Sequence, residues 1–322
     1  MKFSTRRTVL AAALALALPL TSVAADFPVK PVTLVVPQGT GSGSDVVARL
    51  LAVHMGAALG QSVVVENRAG GGGIIAHQSV ARAPADGYTI LLTSTAQLLV
   101  VPAMNASAKY SLDDFAPVAP VLRAPFAVLV ANTPAAPKTL KELMDVLRTT
   151  PSAYASAGTG TMTHLGSEIF LRRAGLKATH IPYKGSGAAL TDLIGGQMLF
   201  ATDSLTAALT HVRSGKLRVL AVTGDRREAS LPDVPTLAEV GAPNVNRMAY
   251  YGIIGPKVLP RDIVDKVNAA VHKVLKDPAV RKRIEDTGSL IVADTPEKFA
   301  QEIKAEYTAY KTVVDKQKLT ME

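Results

Sequence analysis

The chain of 322 residues contains no cysteine and no tryptophan, and aromatic residues make up only 5% of it. Without cysteine there is no disulfide framework, no thiolate nucleophile and no Cys-based metal site. The scarcity of rings leaves no evident stacking platform for nucleic acid, so no nucleic-acid partner is expected. The one dense basic run, Arg281-Lys282-Arg283, falls in a helical pattern and reads as a solvated face. None of the six histidines pairs at i, i+4 around a glutamate, so the zinc-protease helix is missing. No G-x-S-x-G elbow occurs, and no Gly-Lys-Ser/Thr follows a glycine loop. No metal and no cofactor is expected.

What is present is a substantial core. Hydrophobic residues form 48% of the chain and charged residues 19%, as in globular proteins large enough for one big domain or two ordinary ones. Residues 1–25 stand apart. Lys2, Arg6 and Arg7 precede an uninterrupted Ala/Leu/Val run from Val9 to Leu18, and "SVAAD" offers small residues for a cut near Ala25. This is predicted to be an export signal, and "STRRTVL" resembles the twin-arginine type. Its three bases and no acid lower the net charge from +9 to +6 after removal, a modest excess that attracts anions. A soluble periplasmic protein is expected.

Beyond residue 30, short β-branched runs alternate with longer helical periods, the pattern of α/β units with parallel strands. Strands are predicted at 32–37, 62–67, 88–94, 126–132, 154–158, 179–183, 199–204, 217–224, 250–255 and 290–294. Helices are predicted at 44–59, 74–82, 138–148, 162–174, 188–195, 205–214, 260–276, 278–287 and from Pro296 onward. The segment 101–120, with Pro102, Pro117 and Pro120, reads as irregular, as does 225–247. Two α/β lobes with mostly parallel sheets follow, the first from 26–123 and 246–322, the second from 124–245. The chain is expected to cross near 120–125 and again near 245.

Four strand-to-helix junctions share a chemistry: Gly39-Thr-Gly-Ser-Gly-Ser-Asp45, Gly70-Gly-Gly-Gly73, Gly158-Thr-Gly-Thr-Met-Thr-His164 and Gly185-Ser-Gly187. In a parallel sheet such loops open on one edge, where ligands bind. Each alone could be a tight turn. The dinucleotide fingerprint fails, because the third glycine would fall at Ser44 or Val46. Ser42-x-x-Asp45 fits a capping box, so Asp45 is expected to order the loop rather than touch a ligand. His164 is the one candidate base for an enzyme, with Asp203 or Glu168; its alternative role is a ring satisfied by nearby backbone.

The loops 39–45 and 158–164 hold no Lys or Arg. They offer backbone N–H groups and the hydroxyls of Thr40, Ser42, Ser44, Thr159, Thr161 and Thr163. Hydrogen bonds to a charged group contribute about 1.5–3 kcal/mol each, and a helix N-terminus acts as about half a positive charge. Five or six such donors reach micromolar affinity, about −8 kcal/mol, for an anion. That inventory binds and releases. It breaks no bond.

The blocks "PVTLVVPQGTGSGSDVVARLLA", "GQSVVVENRAGGGG", "ADGYTILL", "DFAPVAPV", "ASAGTGTMTHLGSEIF", "HIPYKGSGAALTDLIGGQ", "GKLRVLAVTGDRREASLPDVPTLAEVG" and "YYGIIGP" resemble, in order and spacing, the Bug family of periplasmic receptors. These are the solute-binding components of tripartite tricarboxylate transporters. The resemblance implies a two-lobed α/β Venus flytrap, no enzyme activity, a small organic carboxylate as ligand and integral-membrane transporter subunits as partners. It implies ligand contacts from Gly39, Thr40, Gly41, Ser42 and Ser44 on one jaw and Gly158, Thr159, Gly160, Thr163 and His164 on the other, with Ser186 and Asp203 nearby. Ser42 replaces a glycine usual in the family, and Tyr250-Tyr251 stand where a tryptophan is common. Lys184 and Arg68 are candidates for a second ligand charge. A secreted enzyme using His164, or a ligand sensor for a membrane kinase, are the alternatives.

Overall fold

In the computed structural model, residues 26–159, 161–224, 226–241 and 249–317 are described. The predicted export signal and the crossing near 245 lie outside them. The chain opens with β1 (Val32–Val36), α1 (Gly43–Leu59), β2 (Val63–Asn67), α2 (Ile74–Ala81) and β3 (Thr89–Ser94). A π turn (Ala96–Val100) and α3 (Val101–Met104) lead to β4 (Phe115–Ala124). Then come β5 (Phe126–Ala131), α4 (Leu140–Thr149), β6 (Ala153–Ser156), α5 (Met162–Ala174), β7 (Thr179–Pro182), α6 (Ser186–Ile194), β8 (Phe200–Ser204), α7 (Leu205–Arg213) and β9 (Leu217–Val222). The last part is β10 (Ala249–Pro256), α8 (Arg261–Lys276), α9 (Pro278–Glu285), β11 (Leu290–Ile291) and α10 (Pro296–Gln317).

Two sheets result, ordered β11-β4-β10-β3-β1-β2 and β7-β6-β8-β5-β9. Each has apolar clusters on both faces, which is why β1 reads as a nearly continuous hydrophobic run. The expectation of mostly parallel sheets is corrected: both are mixed. β1, β2 and β3 run parallel, as do β6, β7 and β8. β10 and β4 are antiparallel additions to the first group, β5 and β9 to the second. The antiparallel strands flank the passages between sheets, where no helical crossover intervenes to restore direction. Only Pro125 separates β4 from β5, and the start of β10 (Ala249) pairs with the end of β4 (Ala124).

The segment read as irregular contains β4, a ten-residue strand. Its prolines signalled a loop because proline cannot donate to a ladder. Here the register against β10 slips twice, leaving Val118 and Val121 as extra residues beside Pro117 and Pro120. The freed carbonyls find other donors: Asn268 Nδ2 at 2.9 Å from the Val118 oxygen, and the Val292 amide at 2.9 Å from that of Val121. β11, on the far side, pairs only with Leu122 and Arg123.

α1 shows how local sequence sets the frame for the loops. Val47, Ala48, Leu51, Ala52, Met55 and Leu59 recur at helical spacing and are buried, and Gly60 ends the helix at φ 74°. On β10, Gly252 packs against the tip of the Phe299 ring from α10, and a Cβ there would collide with Cζ. Gly252→Val is therefore expected to destabilise the protein by about 3 kcal/mol through overpacking. Urea denaturation measures it; a loss below about 1 kcal/mol would mean that the ring moves aside freely.

Candidate functional site

The four glycine loops all follow strands of the parallel groups, so each sheet presents its pair at one edge. Behind them stand the N-termini of α1, α2, α5 and α6, and α7 begins at the same edge directly after β8. Three carry side-chain caps: Ser42 Oγ accepts from the Asp45 amide at 3.2 Å, Thr161 Oγ1 from His164 at 3.4 Å and Ser204 Oγ from Ala207 at 3.3 Å. Only half of the expected capping box forms: Ser42 caps the helix, but its own amide donates to the Gly39 carbonyl at 3.3 Å, and Asp45 orders the loop through its neighbour instead. Its carboxylate accepts from the Gly41 amide at 2.9 Å, from Arg49 at 3.0 Å and from Asn67 at 2.9 Å. Asn67 also donates to the Gln38 carbonyl at 2.9 Å, so the first jaw is braced from β2.

The sheets bring these loops face to face. Gly39 packs so tightly on the Lys184 carbonyl that any side chain at 39 would strike it. A Cβ at Gly187 would sit 2.8 Å from the Thr40 carbonyl, and Gly41 lies over Gly187. Gly72, with φ +68°, likewise abuts the Thr159 carbonyl. Deeper in, a Cβ at Gly43 would come within 2.5 Å of Ser204 Oγ and 2.9 Å of the Tyr251 hydroxyl. Glycine here permits backbone to approach backbone across two separate sheets.

Between the loops lies a cavity of about 10 Å³, roughly the room of one water molecule. Gln38, Ser94, Gln97 and Tyr251 line it from the first sheet's side, and Thr161, Thr163, Ser186, Asp203 and Ser204 from the second's. Among the described residues none of the lining groups is Lys or Arg. The one acid is Asp203, fully buried on β8. Its Oδ1 accepts from Ser186 Oγ and from the Ser204 amide, both at 2.7 Å. Burial pushes its pKa up to about 7, against the opposing pull of those two bonds. Burial, together with the Asp203 charge, also holds the proton on Tyr251.

The predicted residues divide by role. Gly39, Thr40, Gly41 and Thr159 form the contact between the facing loops. Ser42 caps α1, and Ser44 Oγ donates to Gln38 Oε1 at 2.7 Å. Gly158 turns at φ 131° and its amide donates to Ser156 Oγ at 3.1 Å. Thr163 Oγ1 accepts from the Ala157 amide at 2.8 Å and pairs with Thr161 Oγ1 at 2.7 Å. Gly160 lies outside the described residues. His164 stacks on His180 with ring centroids 4.0 Å apart. Glu168, one turn along α5, accepts from the Tyr154 hydroxyl at 2.7 Å, and Asp203 from Ser186 and the Ser204 amide. Arg68 pairs with Glu66 at 2.7 Å, and Lys184 enters the interface through its carbonyl.

Sequence reading missed Ser94, Gln97 and Ser204, because no glycine marks them. The strand–helix junction at Ser204 was itself the signal, a serine immediately before a helix. Of the two tyrosines, only Tyr251 faces the cavity; Tyr250 points the other way, donating to Glu302 at 2.5 Å under the Arg123 guanidinium. Alternation along a strand separates them.

Two mixed α/β sheets meeting at their loop edges around a cation-poor cleft define a solute-binding protein of the periplasmic type. The chain belongs to the family described as "Tripartite tricarboxylate transporter family receptor", whose model matches residues 47–319. It is similar to the protein BugT of Bordetella pertussis, with 38% identity over 280 residues, 85% of this chain and 86% of that one. Among solved structures, MatC from Rhodopseudomonas palustris with bound malate superposes with a TM-score of 0.85 at 33% identity, covering 89% of this chain and 100% of that one. A second R. palustris protein, solved with adipate, gives 0.84 at 30% identity, covering 90% and 98%.

Two histidines, His77 buried and His180 half-buried, brace the loops. His77 holds the Gly73 carbonyl through Nδ1 and Thr93 Oγ1 through Nε2, each at 2.8 Å, and His180 Nε2 meets Ser156 Oγ at 2.6 Å. Burial lowers each to about 4, with the neighbouring His164 a further cause for His180. Because the folded pKa lies below the unfolded value of about 6.5, the unfolded chain binds more protons between those values. Stability is therefore complete above about pH 6.5 and falls as pH drops toward 4, by roughly 3 kcal/mol for His77 alone. Urea melts at pH 7 and pH 4.5 should show a smaller acid loss for His77→Gln than for the wild type. Equal losses would remove His77 from the account.

Proposed function

We propose that this chain is a periplasmic receptor that closes two lobes on a small organic carboxylate and presents it to the membrane subunits of a tripartite transporter. The observation that carries the reading is the meeting, at helix N-termini, of glycine loops from both sheets around a lining without Lys or Arg. Such ends attract an anion through free amides and the helix dipole without a permanent countercharge. In this reading the export signal is cleaved near Ala25 and the protein works in the periplasm. The lobes are 26–123 with 246–322, and 124–245.

The cavity of about 10 Å³ is smaller than any carboxylic acid. The closed state must therefore part before ligand enters, and the hinge lies where β4 passes to β5 and the chain returns to β10. Ligand contacts from both lobes then favour reclosure. The ligand-binding residues proposed are Gly39, Thr40, Gly41, Ser42, Ser44, Gly158, Thr159, Gly160, Thr163, His164, Ser186 and Asp203. Several of them act by shaping the loops. With no cation at the centre, one carboxylate is gripped and the remainder of the ligand is read by the cleft walls. The malate- and adipate-bound relatives make C4–C6 dicarboxylates the first compounds to test.

A thermal-shift panel of such acids should contain a ligand that raises the melting point by several degrees, since 100-fold excess over Kd stabilises by about 2.7 kcal/mol. Mass spectrometry should recover it unchanged; turnover would make the protein an enzyme instead. Gly39→Ala should weaken binding at least tenfold while leaving the ligand-free melting point within about a degree, because the clash arises only on closure. A panel in which no acid shifts the melting point would sink the carboxylate reading.

A further inference from the structure

Two buried side-chain atoms on the cavity lining have no hydrogen-bond partner among the described residues. One is Gln97 Nε2, from the first sheet's side; the other is Asp203 Oδ2, from the second's. Their residues are 1% and 0% exposed. Native proteins rarely leave such atoms unpaired, so two facing one cavity from opposite lobes mark where a ligand group sits. An amide N–H2 can only donate. A carboxyl beside a bound carboxylate cannot remain ionised without severe repulsion, and two carboxyl groups that share a site hold a proton between them.

The surroundings of Asp203 favour the protonated form. From β10 comes the Tyr251 hydroxyl, itself held neutral by burial. From α1 come Ser44 and Asp45, the latter bound to Arg49 and Asn67. α5 brings His164, stacked on His180; α6 brings Ser186; α7 follows Ser204; β5 places Ala127 opposite. Lys184, ahead of α6, is exposed. No cation is among the causes that set the carboxyl, and burial leads them.

We infer that the receptor takes up one proton together with its carboxylate ligand, with Asp203 Oδ2 as an O–H donor and Gln97 Nε2 as the facing amide donor. This rests on the carboxylate reading of the preceding subsection. Uptake, not the carboxylate alone, then sets the working pH. In the closed structure burial pushes the carboxyl up to about 7, and the ligand raises it further. Affinity is therefore constant below that value and falls tenfold per pH unit above it, until the complex itself loses the proton.

The test is calorimetry on the mature protein, with adipate or malate as probe, whichever the thermal-shift panel ranks higher. Titrations at pH 8 in phosphate and in Tris count protons from the difference in heats. The expected count is close to one, with Kd rising about tenfold between pH 8 and pH 9. Asp203→Asn keeps an acceptor at one atom and a donor at the other, so it should bind with no pH slope over that interval. A count near zero with measurable binding overturns the inference, as does Asp203→Asn with the wild-type slope. If that variant does not fold or bind, carbon NMR of the Asp203 carboxyl in the wild-type complex at pH 8 decides: a protonated shift supports, an ionised one overturns. A panel in which neither acid binds would instead fail the carboxylate reading itself, before any proton is counted.

Discussion

Helix N-termini end in amides that no residue of the same helix can bond, and the rest of this molecule is arranged around where four of them point. α1 belongs to one sheet; α5, α6 and α7 belong to the other. Each begins at the C-terminal edge of a strand, so the parallel groups β1–β3 and β6–β8 aim their helices at a common gap. The positive ends then lie close without any lysine or arginine between them. Convergence of like dipole ends is unfavourable in itself, and an anion relieves it. The site's attraction and its emptiness of fixed charge have the same source.

That arrangement dictates the local chemistry. Amides can face a ligand only if the loops are held, which the serine and threonine caps do together with the Asp45–Arg49–Asn67 cluster and the two histidines. Facing loops can meet only if side chains are missing at the contact, which accounts for Gly39, Gly72 and Gly187. Asp203 is the exception, a carboxylic acid among donors meant for an anion. Its burial and lack of a nearby cation make the exception coherent, because a neutral carboxyl is a donor as well.

The glycine loops, the alternation of strand and helix and the loop-ordering role of Asp45 were legible in the chain because each depends on neighbours within a few residues. Val32–Val36 could be placed since a β-branched run bounded by Pro31 and Pro37 has few alternatives. β4 was hidden because Pro117 and Pro120 oppose a strand locally, and only the slips against β10, with Asn268 and Val292 supplying the missing donors, make one possible. Gln97 was hidden for a similar reason: it sits in a π turn that no short pattern announces, and reaches the cleft because β3 ends at the same edge as β1.

The chain alone marks the segments proposed to bind an anion, since caps, glycines and absent cations are properties of adjacent residues. Tertiary structure alone decided which atoms point into the gap: Tyr251 rather than Tyr250, Asp203 Oδ2 left bare while Oδ1 is bonded, and His164 stacked on His180. Those choices depend on strands up to about two hundred residues apart in the chain. Their burial, and with it the proton affinity of a buried acid, exists only once both sheets are in place.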